Sequence, residues 1–141
     1  MSTKILTIIR GTPGSGKSTL ASALSLSTGA SFYETDQFFY DEDGDYIYNK
    51  ALIKDAHEWC FRHVKHTMMQ GKDVIVSNTF TQLWQYEKYL DLAKEFGYTI
   101  QMIVVASPLK SVHGVPDNVV QRMQGELELD LMENPLTSLI T

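Results

Sequence analysis

Cysteine is almost absent, with Cys60 the only one in 141 residues. That excludes a disulfide framework and a zinc site built on thiolates, and makes a reducing cytoplasm the expected home. Basic charge is also scarce. Twelve lysines and arginines face seventeen aspartates and glutamates, for a net charge of −5, so the field of the whole molecule repels polyanions and a nucleic-acid partner has to be gripped by a local patch. Arginine is limited to Arg10, Arg62 and Arg122. Long hydrophobic runs are missing: the N-terminal one, Ile5 to Ile9, is closed by Arg10, too short for a signal-peptide core or a membrane span. Neither repeats nor low-complexity linkers occur. With 43% hydrophobic residues the chain can fill one core, so the expectation is one soluble domain over 1–141 with no membrane partner.

What is present begins with Gly11-Thr12-Pro13-Gly14-Ser15-Gly16-Lys17-Ser18, which satisfies every fixed position of the phosphate-loop (Walker A) pattern G-x-x-x-x-G-K-[ST]. An apolar β-branched run precedes it, and Thr19 to Leu24 reads as helix after it. Strand, loop and helix in this order place backbone N–H groups and a helix N-terminus around phosphate oxygens. Gly11, Gly14 and Gly16 are expected to take positive φ. Lys17 is expected to reach the β- and γ-phosphates and Ser18 to ligate Mg²⁺. A nucleoside triphosphate, ATP or GTP, is therefore the expected ligand, held by residues 11 to 19 including Thr19.

The rest of the chain supplies a cleft for that loop. Ser31 to Thr35 reads as a second strand, and Asp36 follows its carboxyl end, the edge where ligands bind in open parallel sheets; capping a turn is its other possible role. Asp41-Glu42-Asp43-Gly44-Asp45 lacks the EF-hand's Gly at six and Glu at twelve, where Tyr46 and Leu52 stand, and reads as a solvated acidic turn. Asn49 to Gln70 has the apolar spacing of a long helix, with Ile53, Ala56, Cys60, Val64 and Met68 widened by Leu52 and Trp59. Its His63 and His66 lack a third ligand. Asp73 to Ser77 is a doubly buried strand. Thr81 is expected to cap a helix burying Leu83, Trp84, Tyr86, Tyr89, Leu90, Ala93 and Phe96, and Tyr98 to Ala106 is a fourth strand. Residues 107–116 read as a loop, Asp117 to Leu129 as a last helix, and 129–141 as a loosely ordered tail.

This layout resembles the polynucleotide-kinase-like group of AAA-type ATP-binding domains, which includes the kinase half of phage 5′-polynucleotide kinases. The likeness spans roughly residues 4 to 128. It is carried by Arg10 to Thr19, by Thr35-Asp36-Gln37-Phe38-Phe39, by Ala56-His57-Glu58-Trp59, by Ser77-Asn78-Thr79-Phe80-Thr81, and by His113-Gly114-Val115-Pro116 with Arg122-Met123. The resemblance implies a three-layer α/β P-loop fold, a parallel sheet of about four strands in order 2-3-1-4 between helices. It further implies Asp36 as the base toward an acceptor hydroxyl, His57 and Asn78 on the acceptor side, and a lid over 107–116. A carboxylate in that role fits the chemistry, because the attacking hydroxyl must lose its proton.

Two departures from the group stand out. Ser77-Asn78 replaces the usual Asp-Asn or Asp-Thr, leaving magnesium to Ser18, the phosphates and Asp36. Leu109-Lys110-Ser111-Val112 replaces the arginines before His113-Gly114, leaving Lys110, His113 and above all Arg122 to meet the triphosphate; a pair with Glu126 is the competing role for Arg122. The resulting expectation is an ATP- and Mg²⁺-dependent kinase with Asp36, Lys17 and Arg122 as catalytic residues. Polynucleotide 5′-ends, nucleosides and small metabolites follow in that order as acceptors, against the alternatives of a nucleotide-binding regulator or a weak NTPase.

Overall fold

The computed structural model describes residues 3–105, 117–133 and 138–140. Its elements run β1 (Ile5–Gly11), α1 (Lys17–Thr28), β2 (Ser31–Tyr33), a 3₁₀ turn (Thr35–Phe39), a second 3₁₀ turn (Lys50–Leu52), α2 (Ile53–Met69), β3 (Val74–Asn78), α3 (Leu83–Phe96), β4 (Thr99–Val105), α4 (Asp117–Glu133) and β5 (Ser138–Ile140). The strands form one sheet in order β2-β3-β1-β4-β5, parallel throughout. The expected 2-3-1-4 order is therefore present. The tail corrects the sequence reading: α4 continues to Glu133, and β5 pairs Leu139 with Val104 at the sheet's far edge.

Alternation along the strands explains the layers. Leu6, Ile8, Val74 and Val76 enter a core with Cys60, Val64 and Met68 of α2 and Tyr86 and Tyr89 of α3. Ile9, Ile75, Ile103 and Val105 turn the other way, onto Ala21 of α1. A strand covered on both faces has no polar side to show, which is why β1 and β3 read as continuous apolar runs. The parallel crossovers then bring the ends of β1, β2 and β3 to one edge, where the phosphate loop opens.

Local chemistry moved several boundaries. The helix expected from Asn49 starts as a 3₁₀ turn, with the Asn49 side chain accepting from Ala51 N at 3.0 Å, and Leu52 remains 39% exposed. Thr81 is not the cap of α3; Gln82 is, in a reciprocal capping box with Gln85. Trp84, expected inside, is 71% exposed. It lies nine residues before Ala93, about two and a half helical turns, and so on the opposite side of α3.

Candidate active site

The phosphate loop takes its shape from two glycines and from a close approach at a third. Gly14 and Gly16 have φ of 78° and 95°, the left-handed conformation that lets successive amides gather around an anion. Gly11 does not share it. It closes β1, where a Cβ would come within 2.5 Å of Ser15 Oγ and 3.0 Å of the Val105 carbonyl oxygen; its role is close packing. Gly11 N donates to Thr79 O at 3.3 Å, and Ser15 N to Thr12 O at 3.1 Å. Thr12 and Ser15 are buried, Pro13 half-buried, and Ser18 and Thr19 exposed at the start of α1.

Lys17 heads that helix and faces two carboxylates from the end of β2. Burial lowers its pKa, while Asp36 and then Glu34 pull it back up. Ser18 Oγ donates to Glu34 Oε2 at 2.8 Å. Asp36 Oδ1 accepts from the Tyr46 hydroxyl at 3.3 Å, and the Tyr46 phenol is pushed up to about 12, by burial first and then by Asp36. Glu34 was missed by sequence reasoning because β2 was expected to run through it. The strand in fact ends at Tyr33, which brings Glu34 to the cleft edge.

Behind the carboxylates lies a brace. Asn78, at the end of β3, is buried and accepts from Thr35 N at 2.8 Å through Oδ1, while Nδ2 points to Cys60 Sγ at 3.8 Å. It thereby fixes the residue next to Asp36. His57 Nδ1 lies 3.2 Å from Thr35 Oγ1, and its pKa is lowered, chiefly by partial burial and then by Lys88, against an opposing pull from Asp36. The residue as a whole is exposed, with Nδ1 turned toward Thr35. Ser77 is fully buried, and its hydroxyl, like that of Ser15, has no hydrogen-bond partner among the described residues. Magnesium takes hard oxygen donors and keeps several waters; the Ser18 hydroxyl, the Glu34 carboxylate bonded to it and the Asp36 carboxylate two residues on are oxygen donors of the kind it takes.

A buried network anchors the loop's root. Arg10, one residue before the loop, is fully buried. Its Nε donates to Phe80 O at 2.8 Å, its guanidinium lies 4.3 Å from the centre of the Tyr86 ring, and it pairs with Asp130 of α4. The Tyr86 hydroxyl donates to the same Asp130 oxygen at 2.8 Å. Phe80 itself adopts φ of 44°, an uncommon conformation for a bulky residue. Thr81 Oγ1 adds a bond to Glu126 Oε2 at 3.0 Å. The last described helix is thus fastened to the base of the phosphate loop through Asp130.

Arg122 is exposed and lies 3.8 Å from Glu126 across one turn of α4, the competing role named for it. The proposed lid over 107–116, with Lys110 and His113, lies outside the described residues. In the acidic turn, Asp41 Oδ1 accepts from Asp43 N and Asp45 N, each at 2.9 Å. Its three aspartates, though clustered, are exposed. Among the described residues no helix is long and apolar enough to cross a membrane.

Comparison with known proteins agrees with this architecture. Human NEDD4-binding protein 2 is 32% identical over 98 residues, covering 68% of this chain and 6% of that protein, so the chain spans a small fraction of that relative. A chain from the structure of the Pnkp1/Rnl/Hen1 RNA repair complex superposes with a TM-score of 0.79 at 17% identity, over 96% of this chain and 48% of its own. A gluconokinase from Sinorhizobium meliloti 1021 gives a TM-score of 0.64 at 17% identity, over 98% and 81%. The fold is that of the P-loop NTPases. A family model described as an AAA domain matches residues 6–128, and the chain belongs to that family.

Proposed function

We propose that this chain is an ATP- and Mg²⁺-dependent phosphotransferase acting on a hydroxyl, with a polynucleotide 5′-end or a nucleoside as acceptor. One observation carries the reading: Asp36, fixed beside the Asn78–Thr35 bond, stands within electrostatic reach of the phosphate-loop lysine. A carboxylate so placed can take the proton of an attacking hydroxyl while Lys17 neutralises the phosphates. In the step, the acceptor oxygen bonds to the γ-phosphorus, the bond from that phosphorus to the bridging oxygen breaks, ADP leaves, and the hydroxyl proton passes to Asp36. Magnesium, when bound, supplies charge neutralisation at the β- and γ-phosphates. His57 lines the acceptor side, Asn78 acts through Thr35 as a positioning residue, and Arg122 exchanges Glu126 for phosphate oxygens.

The acceptor class rests on the resemblance to 5′-polynucleotide kinases, phage ones included, and on the RNA-repair setting of one structural neighbour. We read 1–141 as a single domain working in a reducing cytoplasm, where the lone, buried Cys60 stays a thiol. Ser77 in place of a carboxylate favours a second reading, a nucleotide-binding regulator or slow NTPase. Transfer from γ-labelled ATP to RNA and DNA 5′-ends, nucleosides and sugar acids separates the two. Label on one acceptor class supports the kinase, and free phosphate released whatever the acceptor supports the NTPase.

A further inference from the structure

We infer that Glu34 supplies the metal-binding carboxylate of this site, in place of the one missing at Ser77, and leaves Asp36 to the proton; this rests on the kinase reading above. The carboxylate bonded to the phosphate-loop hydroxyl is Glu34, at 2.8 Å from Ser18 Oγ, whereas Asp36 Oδ1 is engaged by Tyr46. The separation has a chemical meaning. Two oxygens in adjacent positions of an octahedral magnesium, each 2.0–2.1 Å from the ion, are about 2.9 Å apart. Ser18 Oγ and Glu34 Oε2, held together by their hydrogen bond, therefore also stand near the spacing of neighbouring ligands.

Charge and connectivity point the same way. Glu34 leads into the 3₁₀ turn at Thr35–Phe39, whose first residue is held by Asn78, so both carboxylates ride on one braced segment two residues apart. The Ser18 bond puts the Glu34 carboxylate at the N-terminal end of α1, where the phosphate loop closes. A side chain at position 77 leaves a strand interior where Ser77 is fully buried, a costly place for an unpaired carboxylate. Glu34 is half-buried at the rim and already bonded to Ser18.

The test is Mn²⁺ binding to the ATP-loaded full chain, followed by electron paramagnetic resonance, in wild type and Glu34→Gln. The glutamine oxygen still accepts the Ser18 hydrogen bond, and thermal melting checks that the fold is kept. We expect Mn²⁺ affinity to fall by at least about 10-fold, the lower end of what even an outer-shell partner contributes, with metal-free ATP affinity held or raised as a negative charge leaves. Unchanged Mn²⁺ affinity overturns the assignment. So does an equal fall in metal-free ATP affinity, which would make Glu34 a support for the loop's shape, and so does a loss seen in Asp36→Asn but not in Glu34→Gln. Failure of the wild type to bind ATP at all would instead remove the kinase reading beneath it.

Discussion

The phosphate loop is rooted in buried side chains, whereas the segment from Tyr40 to Leu52 keeps its shape with exposed rings and turns. Arg10 is fully buried and Asp130 nearly so. On the other side Tyr40 is 50%, Ile47 61% and Tyr48 53% exposed, held through ring contacts such as Tyr40–Tyr46 at 5.2 Å and Phe39–Tyr48 at 5.0 Å and the self-bonded turn at Asp41. The contrast fits the two tasks of the proposed reaction. A triphosphate presents the same oxygens every time and rewards a fixed cradle, while an acceptor varies and is met by surface loops on a rigid frame.

The largest effect should follow from breaking the cradle itself. Lys17→Ala is expected to abolish tight ATP binding, measured by calorimetry, since it removes the loop side chain that neutralises the phosphates. ATP affinity equal to wild type would refute the cradle.

Breaking its root should cost stability. Asp130→Ala leaves the Arg10 guanidinium buried without its counter-charge, and loss of one partner of such a pair costs about 3–5 kcal/mol; denaturant unfolding should show it. A change under about 0.5 kcal/mol, the level of ordinary surface substitutions, would mean that α4 is not anchored there.

In the exposed segment from Tyr40 to Leu52, if it meets the acceptor of the proposed reaction, the stability effects should be small. Tyr40→Ala and Tyr48→Ala are expected to shift unfolding by no more than about 0.5 kcal/mol while raising KM for the acceptor and sparing KM for ATP. The reverse pattern would place those rings in the core or the donor site.

The smallest effect is a pH dependence at His57. Its folded pKa lies below the ordinary 6.5, so the neutral ring is favoured by the fold, and its contribution is present above pH 6.5 and lost as pH falls through the lowered value. An NMR titration should find a midpoint below 6.5, and the stability of wild type relative to His57→Gln should decline on acidification through that window. A midpoint above 6.5 would mean that Asp36 outweighs burial.

What could be read in advance follows the same division. The phosphate loop was legible because its chemistry is written in eight consecutive residues; apolar runs and helical spacing marked the elements, while the strand order came from the resemblance to the polynucleotide-kinase-like group. The Arg10–Asp130 pair was not, because its partners lie 120 residues apart and nothing in the spacing around Arg10 points to a partner in the last helix. Glu34 was hidden by the end of a strand: two residues fewer in β2 turn a strand side chain into a cleft side chain. Gly11 was assigned a positive φ from the motif, while its true constraint is the close approach of Ser15 and Val105, a contact that sequence spacing does not show.

The most direct test of phosphoryl transfer through this cleft is Asp36→Asn, with ATP affinity and single-turnover transfer to the preferred acceptor measured on the same preparation. ATP should bind as in wild type, because the cradle is untouched, and transfer should fall by about 10²- to 10⁴-fold, the range for losing a general base. Transfer at the wild-type rate with a folded variant would contradict the assignment of Asp36 and, with it, the reading of this cleft as a kinase site.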